Sequence, residues 1–148
     1  MEEVDDMPLE GSYRVRVFRP AWSDVRRWFP RTRDTIEIRS HALKLRYWPE
    51  KNPTDAAGKL LDLDWCWIKA LKGFDVGELR IDDKIGGHDN IRIIFFRGDP
   101  KVKAPLPIIW LLAVLQKKSN EWTKANIKTF KARRTLVVER FYKNRLFD

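Results

Sequence analysis

Five side chains able to handle a phosphodiester lie within one stretch of the chain: Arg80, His88, Arg92, Lys117 and Lys118. Cleaving RNA through its own 2′-hydroxyl requires a group to take the 2′ proton. It also requires cations for the charge gathering on phosphorus and an acid for the departing 5′ oxygen. Arginine and lysine supply the charge, and His88 is the nearby residue whose ordinary pKa suits both acid and base roles. A solvated loop histidine is the plainer reading of that residue. The set, with Arg97 beside it, converges only if Arg80 and Arg92 stand on a hairpin that pairs with the apolar run preceding Lys117.

A second group of cations follows. Lys124, Lys128 and Lys131 repeat at helical spacing and fall on one side of a helix capped by Ser119 or Asn120, with Trp122, Ala125, Phe130 and Ala132 opposite. Together with Lys117, Lys118, Arg133 and Arg134, these lysines can track a phosphate backbone. A solvated helix face accounts for them equally well. Arg133 falls near the apolar side of the wheel, where a guanidinium must be paired or line a cleft, and a structural ion pair is the more frequent explanation. Of the seven tryptophans most belong to a core; Trp122, beside the lysine pair, is the one placed to stack on an unpaired base.

The elements that must position these groups are read from periodicity. Tyr13 to Phe18 alternates as a half-buried strand, and Pro20 to Phe29 makes a short helix with Trp22, Val25, Trp28 and Phe29 inward. Thr35 to Trp48 alternates in two short runs and reads as strand. Asn52 and Pro53 have the form of a helix start, with Asp55 in the first turn and a stripe of Leu60, Leu61, Leu63, Trp67, Ile68 and Leu71 ended by Gly73. From Gly77 the period is two: Leu79 and Ile81, a turn near Gly86 and Gly87, then Ile91, Ile93 and Phe95, an antiparallel hairpin. Asp99 to Pro107, with three prolines, is a loop. Ile108 to Leu115 is apolar without alternation, the pattern of a central strand covered on both faces. Thr135 to Tyr142 reads equally as continued helix or as strand.

The expectation is an α+β fold, a small and mainly antiparallel sheet packed against helices, with residues 1–12 a flexible arm and 13–148 one domain. A chain of 148 residues that is 43% hydrophobic can build one core of that kind. Its net charge of +9 favours a polyanionic partner, and from Gln116 onward ten Lys and Arg meet three acids. With one cysteine, no basic and apolar leader, and no apolar run near the roughly 20 residues of a membrane span, a cytoplasmic protein without membrane contact is expected. His41, His88 and Cys66 show no metal-ligand spacing, and Asp82 and Asp83 more often cap a turn than hold a cation, so no metal or other cofactor is expected. A phosphate-cradling Gly-rich loop and a Gly-x-Ser-x-Gly elbow are both missing, which argues against ATP-driven and serine-hydrolase chemistry.

The order of parts, namely an N-terminal strand, helical material, a hairpin with Glu78-Leu79-Arg80-Ile81 and Ile91-Arg92-Ile93-Ile94-Phe95-Phe96, an apolar strand, and a helix opened by Lys117-Lys118-Ser119, resembles the RelE/HigB toxin superfamily. The nearest likeness is to its phage-derived HigB-type branch. It spans Leu71 to Arg134, and its most specific piece is the apolar strand running through Gln116 into the lysine pair and the Thr123 to Arg134 helix. The resemblance implies a toxin of a type II toxin-antitoxin pair, a metal-independent, ribosome-dependent endoribonuclease that cleaves mRNA and is silenced by an acidic cognate antitoxin. It also implies that Arg80, Arg92 and Lys118 bind and stabilise the scissile phosphate. The chain departs from the pattern in having no tyrosine early in the final helix, where several members use one, and in its extra loop and long N-terminal half. Two alternatives stay open: a non-catalytic nucleic-acid-binding module, and a domain whose basic groove receives an acidic antitoxin-like peptide.

Overall fold

A computed structural model describes residues 4–6, 11–98 and 107–142. In chain order the elements are β1 (Val4–Asp6), β2 (Arg14–Phe18), α1 (Arg19–Trp28), α2 (Thr32–Leu43), β3 (Trp65–Trp67), β4 (Val76–Ile81), β5 (Ile91–Arg97), β6 (Ile108–Gln116) and α3 (Lys124–Phe141). The strands form one six-stranded sheet in the order β1-β2-β6-β5-β4-β3. Every pairing is antiparallel except β2 with β6, whose register runs from Arg14 opposite Ile108 to Val17 opposite Leu111. The α+β expectation holds. No helix among the described residues is long and apolar enough to cross a membrane.

Alternation along the strands splits the core into two layers. Leu79, Ile81, Ile91, Ile93 and Phe95 face one side with Val25 of α1 and Ile38 of α2, whereas Val76, Ile94 and Phe96 face the other with Phe130 and Val137 of α3. β6 contributes to both layers, with Ile109 and Leu111 in one and Trp110 and Leu112 in the other, which is why its sequence is apolar throughout.

Strand β2 stops at Phe18, where Pro20 opens the way into α1, so the β6 edge beyond Leu111 has no neighbouring strand. Side chains take over its hydrogen bonds. Asp24 of α1 accepts from the Val114 N–H at 3.3 Å, and Arg133 of α3 donates to the Leu112 carbonyl at 2.8 Å and to Asp24 at 2.6 Å. Leu112 is also the residue skipped where the β5–β6 register shifts, between the Ile94–Ala113 and Phe95–Leu111 pairs.

Several expectations are overturned. Residues 35–47 are helical, ending in a 3₁₀ turn at Lys44–Tyr47: the buried positions are Ile38, Ala42 and Leu45, one helical face, and Ile36, read as alternating with Ile38, is 61% exposed. No α-helix forms between Asn52 and Leu71. Asp55 instead closes a turn, its Oδ1 accepting from the Ala57 and Lys59 N–H groups, with Gly58 at φ +83°. Leu60 is 67% exposed, Trp65–Trp67 pair with β4 as an edge strand, and Lys69–Leu71 make a single 3₁₀ turn. Within the N-terminal arm, Val4–Asp6 pair with β2, since backbone pairing needs no side-chain periodicity. The last helix is capped by Thr123, whose hydroxyl accepts from the Asn126 N–H, rather than by Ser119 or Asn120. It continues through residues 135–141, and Ala125 and Ala132 are exposed where an inward face is expected. Most of the Asp99 to Pro107 loop lies outside the described residues.

Candidate nucleic-acid interface

The sheet face that carries α3 is open at one end, and alternation delivers the cations there. Glu78 and Arg80 on β4, and Arg92 on β5, take the same side as Val76 and Ile94. Arg80 and Arg92 are direct register partners, so two guanidinium stems face each other across the strands. Lys117 follows β6 and extends the ladder by one step, its N–H donating to the Asn90 carbonyl at 2.8 Å, with Asn90 held at φ +50°. Gln116 donates to Asp89 at 2.8 Å and fixes the chain leading into this corner.

Like charges placed opposite one another repel, and Glu78 relieves this from below. Its side chain is 5% exposed, with Oε2 accepting from Arg92 Nε at 3.1 Å and Oε1 lying 3.7 Å from Lys117 Nζ. Arg92 Nη1 also donates to the Ile91 carbonyl at 3.2 Å. One carboxylate thus pairs with Arg92 and Lys117, and the nearby Arg80 and Lys118 leave the corner positive. These four residues, with Asn90, Ser119 and Asn120, line a cleft of about 290 Å³. Arg80 and Lys118 are exposed there, whereas Arg92 and Lys117 are largely covered.

A second cavity of about 520 Å³ shares Arg80, Lys117 and Asn120 with the cleft and runs on toward Cys66, Ile68, Glu78, Trp122 and Ile127. Trp122 packs edge-on to Phe130 with ring centroids 5.2 Å apart and carries Lys117 Nζ 5.2 Å from its own centroid. Cys66 Sγ lies 3.8 Å from Glu78 Oε1. Burial, reinforced by the Glu78 charge, pushes its thiol up from the ordinary value, so it stays protonated at neutral pH.

The other sequence candidates are dispersed. His88 does not line the cleft; it is half-buried and edge-on to Trp28 and Phe29 at centroid distances of 5.1 and 5.5 Å. It stands one ring away from Lys118, whose Nζ lies 5.6 Å from the Trp28 centroid. Lys124 and Lys128 are exposed on α3, while Lys131 sits 4.9 Å from the Phe74 ring. Arg133 is committed to Asp24 and Leu112, the structural ion pair its position on the wheel suggests. Arg134 donates to the Phe74 carbonyl at 2.8 Å and covers the Phe74 and Phe96 rings, and burial lowers its pKa. Arg97 pairs with Asp75 at 3.5 Å.

Glu78 is the member of the site that sequence reasoning passed over. A carboxylate between Gly77 and Leu79 in a strand, two residues before an arginine, carries the signal, because a buried acid requires a cation. Away from this corner, His41, Glu37 and Asp83 bring a ligand atom each within 4.8 Å of one another, with His41 Nε2 3.3 Å from Asp83 Oδ2. Comparison of the chain with protein-family models, with curated proteins and with solved structures found no match.

Proposed function

We propose that the protein binds RNA through the Arg80–Arg92–Lys117–Lys118 cleft and acts there as a ribosome-dependent, metal-independent endoribonuclease, the toxin of a pair silenced by an acidic antitoxin. The observation that carries this reading is the gathering of four cations from β4, β5 and the end of β6 into one cleft over a single buried carboxylate. The element order, two strands, two helices, four sequential antiparallel strands and a helix, supports it, since it contains the strand, helical segment, hairpin, apolar strand and helix on which the RelE/HigB resemblance rests. In this reading Arg80 and Arg92 hold the non-bridging oxygens as the 2′ oxygen attacks phosphorus, and Lys117 adds positive charge. The cleft lining offers no imidazole, so the 2′ proton passes to water and Lys118, exposed at the rim, protonates the leaving 5′ oxygen.

Two observations favour a second reading, RNA binding without cleavage: His88 stands outside the cleft lining, and Arg92 and Lys117 are both drawn toward Glu78. One experiment separates the two. Expression is induced, and growth and mRNA integrity are followed for wild type and for the Arg80→Ala, Lys118→Ala double variant. These exposed positions leave the Glu78 pairs intact, and circular dichroism checks the fold. Growth arrest with mRNA cleavage, both lost in the folded variant, supports the endoribonuclease. Normal growth with intact mRNA, from a wild-type protein that retains RNA in solution, supports the binding module.

A further inference from the structure

We propose that the cavity beside the basic cleft is a nucleobase pocket that prefers guanine, so that the site takes a nucleotide as a unit, phosphate on the cations and base in the cavity. The inference rests on the RNA-binding reading above and adds a base specificity to it. Arg80, Lys117 and Asn120 line both spaces, so a phosphate on Arg80 and Lys117 leaves the attached nucleoside at the mouth of the second space.

The lining changes character across that boundary. The cleft is almost wholly polar, whereas the cavity adds an apolar wall of Trp67, Ile68, Ala70, Trp122 and Ile127 to its polar side, where Lys69 and Glu121 stand with Glu78 and the three shared residues. Its volume of about 520 Å³ lies in the usual range for small-molecule sites, and an apolar wall with a few placed polar groups is the usual design of such sites. A base buries its flat faces against walls of this kind, and an indole edge or face adds stacking.

Glu78 supplies the discrimination. Its Oε2 is engaged by Arg92 at 3.1 Å, while Oε1 accepts a weak hydrogen bond from the Cys66 thiol at 3.8 Å and lies 3.7 Å from Lys117 Nζ, which leaves it a lone pair for a stronger donor. An ionised carboxylate is acceptor-only, so the base edge that suits it is the one richest in N–H donors. Guanine presents N1–H and the 2-amino group together. Uracil offers a single N–H flanked by carbonyls that the carboxylate repels. A site built on buried hydrogen-bonding groups rejects a base that leaves them unpaired.

The test is calorimetric titration of the full chain with inorganic phosphate, guanosine 3′-monophosphate and uridine 3′-monophosphate, together with Ala70→Trp. Ala70 is exposed and lines the cavity without lining the cleft, so the new indole occupies the base's space and leaves the cations untouched. The expected result is that the guanosine nucleotide binds about tenfold more tightly than phosphate and than the uridine nucleotide. In Ala70→Trp that advantage disappears while phosphate affinity is unchanged. Phosphate and both nucleotides binding equally to wild type, or an advantage that survives Ala70→Trp, would overturn the pocket and leave the basic cleft standing. Failure of all three ligands and of RNA itself would overturn both the pocket and the RNA-binding reading.

Discussion

Arg133 and Asp24 do at the edge of β6 what a longer β2 would otherwise do. The Asp24 carboxylate takes the Val114 N–H, the guanidinium takes the Leu112 carbonyl, and the two close on each other at 2.6 Å. Both side chains are mostly covered, at 19% and 9% exposure, so removing the cation leaves the Leu112 carbonyl without this donor and Asp24 with the Val114 N–H and the exposed Arg27, at 3.1 Å, as its remaining partners. Arg133→Ala is therefore expected to cost about 1–3 kcal/mol, read as a lowered urea midpoint. Lys128→Ala, at an exposed position on the same helix, is expected to stay within about 0.5 kcal/mol of wild type. RNA affinity, measured below the unfolding range, should be unchanged by Arg133→Ala, because the guanidinium is spent inside the fold. A proportionate loss of RNA affinity in a stable variant would return Arg133 to the interface. Sequence reasoning could place Arg133 on the apolar side of its helix but could not find Asp24, because the pair spans 109 positions and a gap left by a strand that ends early.

Helix α2 carries the clearest titration. His41 is mostly buried, and burial, with Lys44 beside it, lowers its pKa below the ordinary 6.5 although Asp83 pulls the other way from 3.3 Å. The folded state therefore holds His41 neutral at a pH where the unfolded chain already binds a proton. Stability is complete above pH 6.5 and falls as pH drops from there toward the lowered value. Comparing urea midpoints at about pH 7.5 and about pH 5, His41→Gln should remove part of the wild-type decline. An identical decline in the variant would assign it to other groups. The same helix shows what local pattern could and could not reveal. Strands whose two faces meet different layers, such as β4, β5 and β6, declared themselves by alternation or by unbroken apolarity. Residues 35–48 did not, because the exposed Ile36 imitated a strand face. Residues 52–71 imitated a helix start, because Asn52, Pro53 and Asp55 serve a turn as well as a cap, and only the left-handed Gly58 and the β-favouring Trp65-Cys66-Trp67 told against it. Arg80, Arg92 and Lys117 were legible as a group since strand pairing alone brings them together. His88 was misplaced since its loop folds onto α1, a contact that periodicity does not encode.

At the scale of the whole molecule the net charge of +9 overstates the surface available to a polyanion. Arg133 and Arg134 are tied into the core and Arg97 pairs with Asp75, whereas Arg80, Arg92, Lys117 and Lys118 converge. Lys124 and Lys128 are exposed but line neither the cleft nor the adjoining cavity. These arrangements predict different footprints, and counterion release measures a footprint directly. Each phosphate neutralised on single-stranded RNA contributes about −0.7 to the slope of log affinity against log salt, so a contact confined to the cleft should give a slope between about −2 and −3. Arg80→Ala should reduce its magnitude by about 0.7, one contact's share. Lys124→Ala with Lys128→Ala should leave it within about 0.3 of wild type if RNA stays in the cleft, and lower it by about 1.4 if the strand runs along α3. The second outcome would turn α3 from a structural cover into part of the recognition surface. It would also imply that binding is spread over a track rather than centred on one scissile phosphate, which favours the binding module over the nuclease.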